Sequence, residues 1–216
     1  MSLPEGDLLD LLDYRRRMAE IYSKVRDLGD PISGWQFWRN ERDEIFRSHP
    51  QSSIPAPQRS DFEGLHYFDY NPRFRVLANV SGLPEETLNI RCSGDATYAF
   101  TRFGRASFDL DGERHNLSLY WLDSYGGGLF VSFKDLTSGK STYGACRYLL
   151  DTAKGADLGS EGNALVLDFN FAYQPSCSYD PRWVCPLAPP DNHLSVAVTA
   201  GERLVPREGP PSGGTP

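Results

Sequence analysis

Nowhere does the 216-residue sequence hold an unbroken apolar run of the kind, about 18 residues long, that a bilayer-spanning helix needs. A membrane is therefore not an expected partner. Nor is a secretory leader expected. Such a leader starts basic and continues apolar, whereas here Arg15, Arg16 and Arg17 follow the opening leucine run, and Glu5, Asp7, Asp10 and Asp13 stand in or beside it. This predicts a cytoplasmic location, in which Cys92, Cys146, Cys177 and Cys185 stay reduced because cytosolic thiol buffers oppose disulfides. Positive charge is also in short supply. Twenty-two basic residues face 29 acidic ones, giving a net charge of −7 and a pI near 5.1. Phosphate backbones are held by Lys and Arg, so nucleic acid is not an expected partner either.

Two further signatures fail on inspection. Thr137-Ser138-Gly139-Lys140-Ser141-Thr142 resembles the end of a phosphate-binding loop, but Lys134 stands where the motif requires its first glycine, and the segment reads as a polar turn between strands. Cys177, Cys185 and His193 are each separated by seven residues, whereas zinc sites pair their cysteines about two to four residues apart. No metal and no cofactor is assigned on this evidence, and nothing in the sequence sets an oligomeric state.

What is present is a sizeable apolar complement, 39% of the chain, with 20 Gly and 16 Pro. The first allows a buried core, and the second implies frequent turns and a β-rich body. Residues 1–50 read as a helical pair. Leu8, Leu11 and Leu12 recur at helical spacing, and Met18, Ile21, Tyr22, Val25 and Leu28 continue the stripe up to Gly29 and Pro31. A second helix carries Trp35, Phe37, Trp38, Ile45 and Phe46. Its Arg39, Glu41, Arg42, Asp43, Glu44 and Arg47 read as a solvated face of mixed charge. Residues 51–63, with Pro55 and Pro57, form a linker. From 64 to 203 the apolar period changes to two, and nine runs read as strands: RFRVLANV, ETLNIRC, TYAFTR, FGRASFDL, ERHNLSLYWL, GLFVSF, CRYLLD, ALVLDF and LSVAVTA. Asp111-Gly112 marks a type I′ hairpin. It sets Leu110 against Glu113 and Ala106 against Leu117, with Ala106, Phe108, Leu110, Leu117, Leu119 and Trp121 on one dry face. The fold class expected is mainly β: an antiparallel barrel or sandwich of about nine strands with two N-terminal α-helices. The tail, 204–216, is rich in Pro and Gly and is expected to be disordered.

Two stretches are more polar than packing asks for, Asp135 to Tyr148 and Leu167 to Arg203. Together with Trp38-Arg39, Glu41-Arg42-Asp43, Phe62 to Phe68, Asp168 to Tyr179, Cys185 to Leu194 and Ala200 to Glu202, they make the chain resemble a prokaryotic family, domain of unknown function 1684, over about residues 35–203. Cys146 stands where that family more often has glycine, and Gln174 where it has asparagine. The resemblance implies a map of positions and no activity.

The oxygen-rich set on that map is Asp135, Tyr143, Arg147, Asp168, Asn170, Tyr173, Asn192 and Glu202. Asp168 and Asn170, two apart at a strand end, share a face. The leading expectation is a polar pocket for a small, anionic ligand, with Arg147 clamping the anion, Asp168 and Glu202 accepting hydrogen bonds, and Tyr143 and Tyr173 as walls. The alternatives are a hydrolase or lyase, with Asp168 as general base and Glu202 or Tyr143 as acid, and an interaction scaffold using the helix face 39–47. A buried structural network that satisfies loop backbone is the competing non-functional account of the same residues.

Overall fold

The computed structural model describes residues 7–205; the expected disordered tail lies outside the described residues from 206 onward. Two helices, α1 (Asp7–Leu28) and α2 (Pro31–Ser48), open the chain. Asp30 caps α2 by accepting a hydrogen bond from the Ser33 amide at 2.9 Å, and Pro31 occupies the first turn, where no amide donor is needed. No helix among the described residues is long and apolar enough to cross a membrane.

Seven strands follow in one antiparallel sheet: β1 (Arg75–Arg91), β2 (Thr97–Leu110), β3 (Glu113–Leu122), β4 (Leu129–Phe133), β5 (Arg147–Asp151), β6 (Ser160–Glu161) and β7 (Ala164–Asp168). Their order is β5-β4-β3-β2-β1-β7-β6, an open sheet. The expected hairpin is present in its expected register, with Leu110 paired to Glu113 and Ala106 to Leu117. Asp111 and Gly112 both take positive φ, 53° and 80°, as a type I′ turn requires.

The expected count of nine strands and the barrel or sandwich are corrected in three places. The runs RFRVLANV and ETLNIRC are one strand, β1, and TYAFTR and FGRASFDL are another, β2. Register shifts between Gly82 and Glu86 and between Arg102 and Gly104 bend this long ribbon without ending it. The run LSVAVTA is not a strand. Its Val198 and Ala200 carbonyls are taken by the Arg147 side chain instead of a neighbouring ladder. The short β6 was not expected. A sheet with a dry face still needs a cover, and here irregular chain supplies it: Phe169, Ala172, Leu194, Val198 and Ala200 pack onto Phe108, Leu117, Val131, Phe133 and Leu149.

A second cluster joins the helices to the sheet end through Met18, Tyr22, Trp38, Phe46, Tyr67 and Phe171. A third lies on the opposite sheet face, where Ile90, Phe100, Tyr120, Phe130 and Tyr148 meet the chain around Cys185. Trp121, expected among the dry-face residues, runs past the end of the first core and is 46% exposed. At this end of the sheet the face expected to be wet is the one that is covered.

Candidate functional site

Of the polar residues singled out by the sequence, all but the half-buried Tyr143 and Tyr173 are buried, and they fall into several side-chain networks. In the first, Arg147 and Asp135 meet at 3.3 Å. The Arg147 guanidinium also donates to the Val198 carbonyl at 2.9 Å and to the Ala200 carbonyl. Asp135 Oδ2 accepts from the Val198 amide at 2.8 Å and from the Thr137 hydroxyl at 2.7 Å. Burial holds the Arg147 guanidinium below its ordinary pKa, partly offset by Asp135. The pair replaces a β-ladder for residues 198–200, and the anion-clamping atoms of Arg147 are committed to the chain.

In the second network Asp168 Oδ1 accepts from the Asn170 amide at 2.9 Å and from its side chain at 2.8 Å, while Tyr70 donates to Oδ2 at 3.4 Å. Asn170 Oδ1 accepts in turn from the Asn71 amide at 2.9 Å. Asp168 thus caps a single 3₁₀ turn and anchors the approach to β1. Burial pushes its carboxyl up to about 6 against the pull of Asn170 and Arg75. It borders a small hollow of about 230 Å³ that Arg75 and Glu161 share.

In the third, Glu202 is fully buried and bonded to Arg42 at 2.8 Å and to the Gln174 amide at 3.0 Å. Burial raises the Glu202 carboxyl, and Arg42 opposes the shift. Asp168 and Glu202 share no hydrogen-bond partner among the described residues. Asn192 stands apart: its Oδ1 accepts from the Ser118 amide at 2.7 Å, and its Nδ2 donates to the Ser118 and Ser132 carbonyls at 3.1 and 2.8 Å. Those carbonyls belong to β3 and β4, which pair directly only at Tyr120–Phe130 and Trp121–Leu129. The Asn192 amide therefore bridges the strands where their own ladder stops. Tyr143 contacts Cys177, O···S 3.9 Å.

Of the eight candidates only Tyr173 lines a second, larger hollow, about 610 Å³ between α1, the sheet end and the Pro-rich loop. Arg42, which sequence reasoning placed on a solvated face, reaches it too. That reading is corrected: Arg42 is 2% exposed, its guanidinium lying about 5 Å from the Trp38, Phe46 and Tyr173 rings. A signal was available, since Arg42 follows Trp38 by four and precedes Ile45 and Phe46 by three and four, within the apolar stripe. The residues sequence reasoning missed altogether are Tyr14, Arg15, Asp151 and Lys154, which line the same hollow. Lys154 and Asp151 pair at 3.2 Å, with the lysine half-exposed, and the carboxylate beside it holds the ammonium above its ordinary pKa. Burial raises the Tyr14, Tyr148 and Tyr173 phenols, so these rings are neutral walls. Exposed Tyr125 stands at the rim.

No group of three or more His, Cys, Asp or Glu among the described residues is placed to hold a metal ion. No curated protein matches the chain. A solved structure that it resembles is an uncharacterized protein of Haloarcula marismortui, determined by solution NMR. That protein is 41% identical at a TM-score of 0.60, over 82% of this chain and 96% of the other. The family model described as "Protein of unknown function (DUF1684)" matches residues 60–203, and the chain belongs to that family.

Proposed function

We propose that the chain binds a small amphipathic anion in the hollow of about 610 Å³. The observation that carries this reading is the hollow's charge. Arg15, Arg42 and Lys154 line it against one carboxylate, Asp151, and with Arg42 already paired to Glu202 one cation is left in excess, in a protein whose net charge is −7. Its size lies in the range of about 300–1,000 Å³ typical of small-molecule sites. Aromatic walls from Phe100, Phe130, Tyr148 and Tyr173 suit an apolar or ring-bearing body, and Lys154, half-exposed at 3.2 Å from Asp151, has ammonium hydrogens left for an anionic head. The anchor is thus Lys154, with Arg15 beside it, in place of the enclosed Arg147. Glu202 holds Arg42 at its wall, while Asp135, Asp168, Asn170 and Asn192 brace the chain outside it. The cytoplasm suits this reading, since all four cysteines are free thiols.

The test uses 8-anilinonaphthalene-1-sulfonate, an aromatic anion whose fluorescence rises on leaving water. Saturable one-to-one binding is expected, weakened about tenfold or more by Lys154→Glu, the size of one lost charge-assisted hydrogen bond plus a like-charge contact. The near-ultraviolet circular dichroism of both proteins should be native, because Lys154 is half-exposed. An unchanged affinity in the variant, or no saturable binding to the wild type, overturns the proposal.

A further inference from the structure

All four cysteines, though scattered through the sequence, gather on the covered face around Pro186. Cys146, Cys177 and Cys185 share the third cluster, and Cys92 forms an isolated bridge with Pro186. They divide into two kinds. Cys92 and Cys146 are 2% and 0% exposed, their thiols turned to the Ile90 and Pro186 carbonyls at 3.9 Å. Burial pushes both thiols up, Cys146 to about 12. Cys177 is half-buried, on a single 3₁₀ turn, Ser176–Ser178. Its sulfur faces the Tyr143 hydroxyl at 3.9 Å, and the residue packs in the same cluster as Cys185, whose thiol interacts with it electrostatically. Ser93 fixes Cys185: its Oγ accepts from the Cys185 amide at 3.1 Å and donates to the Trp183 carbonyl at 3.2 Å, and its amide donates to the Cys185 carbonyl at 2.9 Å.

We propose that Cys177 and Cys185 are a peroxide-sensitive dithiol, Cys177 the attacking and Cys185 the resolving sulfur, whose disulfide closes one wall of the large hollow. The neighbouring Cys185 thiol, with the Tyr143 hydroxyl at 3.9 Å, holds Cys177 below the ordinary thiol range against the opposing effect of burial, while the same interaction raises Cys185. A thiolate beside a protonated thiol is the pairing that resolving chemistry uses. In the first step the Cys177 sulfur bonds to one oxygen of a hydroperoxide. The O–O bond breaks, and the departing oxygen takes a proton from solvent and leaves as water or an alcohol. In the second the Cys185 sulfur attacks the sulfenic sulfur, the S–O bond breaks, and the hydroxyl leaves as water with the Cys185 proton. Two thiols are oxidised and one peroxide is reduced. The bond formed ties Ser176 to the Trp183–Pro186 segment, both of which line the hollow. The inference does not depend on the hollow taking a ligand.

The reduced full-length protein is treated with hydrogen peroxide, alkylated, digested with trypsin and analysed by mass spectrometry without reduction. Cleavage after Lys154, Arg182 and Arg203 places Cys177 and Cys185 on different peptides. The expected product is those two peptides joined, and separated again by dithiothreitol. Cys185→Ser should accumulate a dimedone adduct on Cys177, and Cys177→Ser should give neither adduct nor bridge. Cys177 should react about tenfold or more faster than Cys92 or Cys146 in the native protein and lose that lead in guanidinium. Equal alkylation of all four cysteines after peroxide, or a bridge from Cys177 to Cys92 or Cys146, overturns the proposal on the wild-type protein alone.

Discussion

Arg42 and Glu202, 160 residues apart in sequence, meet at 2.8 Å with neither side chain in contact with bulk water. The pair ties the middle of α2 to the segment around Gly201 and Arg203, and Gln174 closes the arrangement through its amide. Removing one partner of a buried pair leaves an uncompensated charge, which costs about 3–5 kcal/mol. Arg42→Met should lower stability to denaturant by that amount near neutral pH. The loss should shrink on acidification, because Glu202, already raised by burial, then takes up a proton and sheds its charge. Adding Glu202→Gln to Arg42→Met should restore part of the loss. Equal destabilisation of single and double variants would show that the charge is not the cause.

Arg147 holds residues 198–200 in place of a β-ladder, and a lysine cannot span the same acceptors with its single ammonium. Arg147→Lys should cost about 2–4 kcal/mol and should speed proteolytic cleavage within 194–203 well before the sheet unfolds. A variant as protease-resistant as the wild type would contradict the role given to Arg147.

Asp168 supplies a pH signature. Its carboxyl is raised from 3.8 to about 6 in the folded protein, so between those values the native state binds the extra proton. Its favourable contribution is complete below the unfolded value and is lost as pH rises through the folded one. The span of about two units corresponds to about 3 kcal/mol. Asp168→Asn keeps the acceptor used by Asn170 and removes the titration. The stability of the variant minus that of the wild type should therefore rise by roughly this amount between about pH 4 and 7. A difference that stays flat across that interval would refute the assignment.

Gly201, beside Glu202, has φ +76°, and a methyl group there would stand 2.5 Å from the Ala172 carbonyl oxygen and 2.6 Å from that of Phe169. Gly112 has a similar φ, +80°, with nothing within 4 Å. Both alanine substitutions incur backbone strain of about 1 kcal/mol, but only Gly201→Ala adds a clash with main chain. It should destabilise by more than about 3 kcal/mol, and thermal melts of the two variants side by side would separate the effects.

The hairpin at Asp111-Gly112 was legible to the residue because a two-residue turn leaves one register, and the alternation of Phe108, Leu110, Leu117 and Leu119 agrees with it. Strand number was not. The polar step from Ser81 to Glu86 reads like a turn but is a bulge in a continuous strand, and LSVAVTA alternates like a strand while its carbonyls face Arg147. Alternation records which side chains are buried and says nothing of what the backbone bonds to. Among the polar residues, Asp168 with Asn170 was legible because the two are neighbours. The partners of Glu202 and Asp135, at separations of 160 and 63 residues for Arg42 and Val198, were not. The hollow itself is a product of how α1 lies across the sheet end, and only its aromatic lining left a trace in composition.

Asn192 joins β3 to β4 with its own amide, so the Pro-rich segment that carries it cannot swing away alone. Opening that segment exposes the Ser118 amide to solvent, since its acceptor is Asn192 Oδ1 at 2.7 Å. Slow hydrogen exchange at this one position therefore reports whether loop and sheet open together as a single cooperative unit.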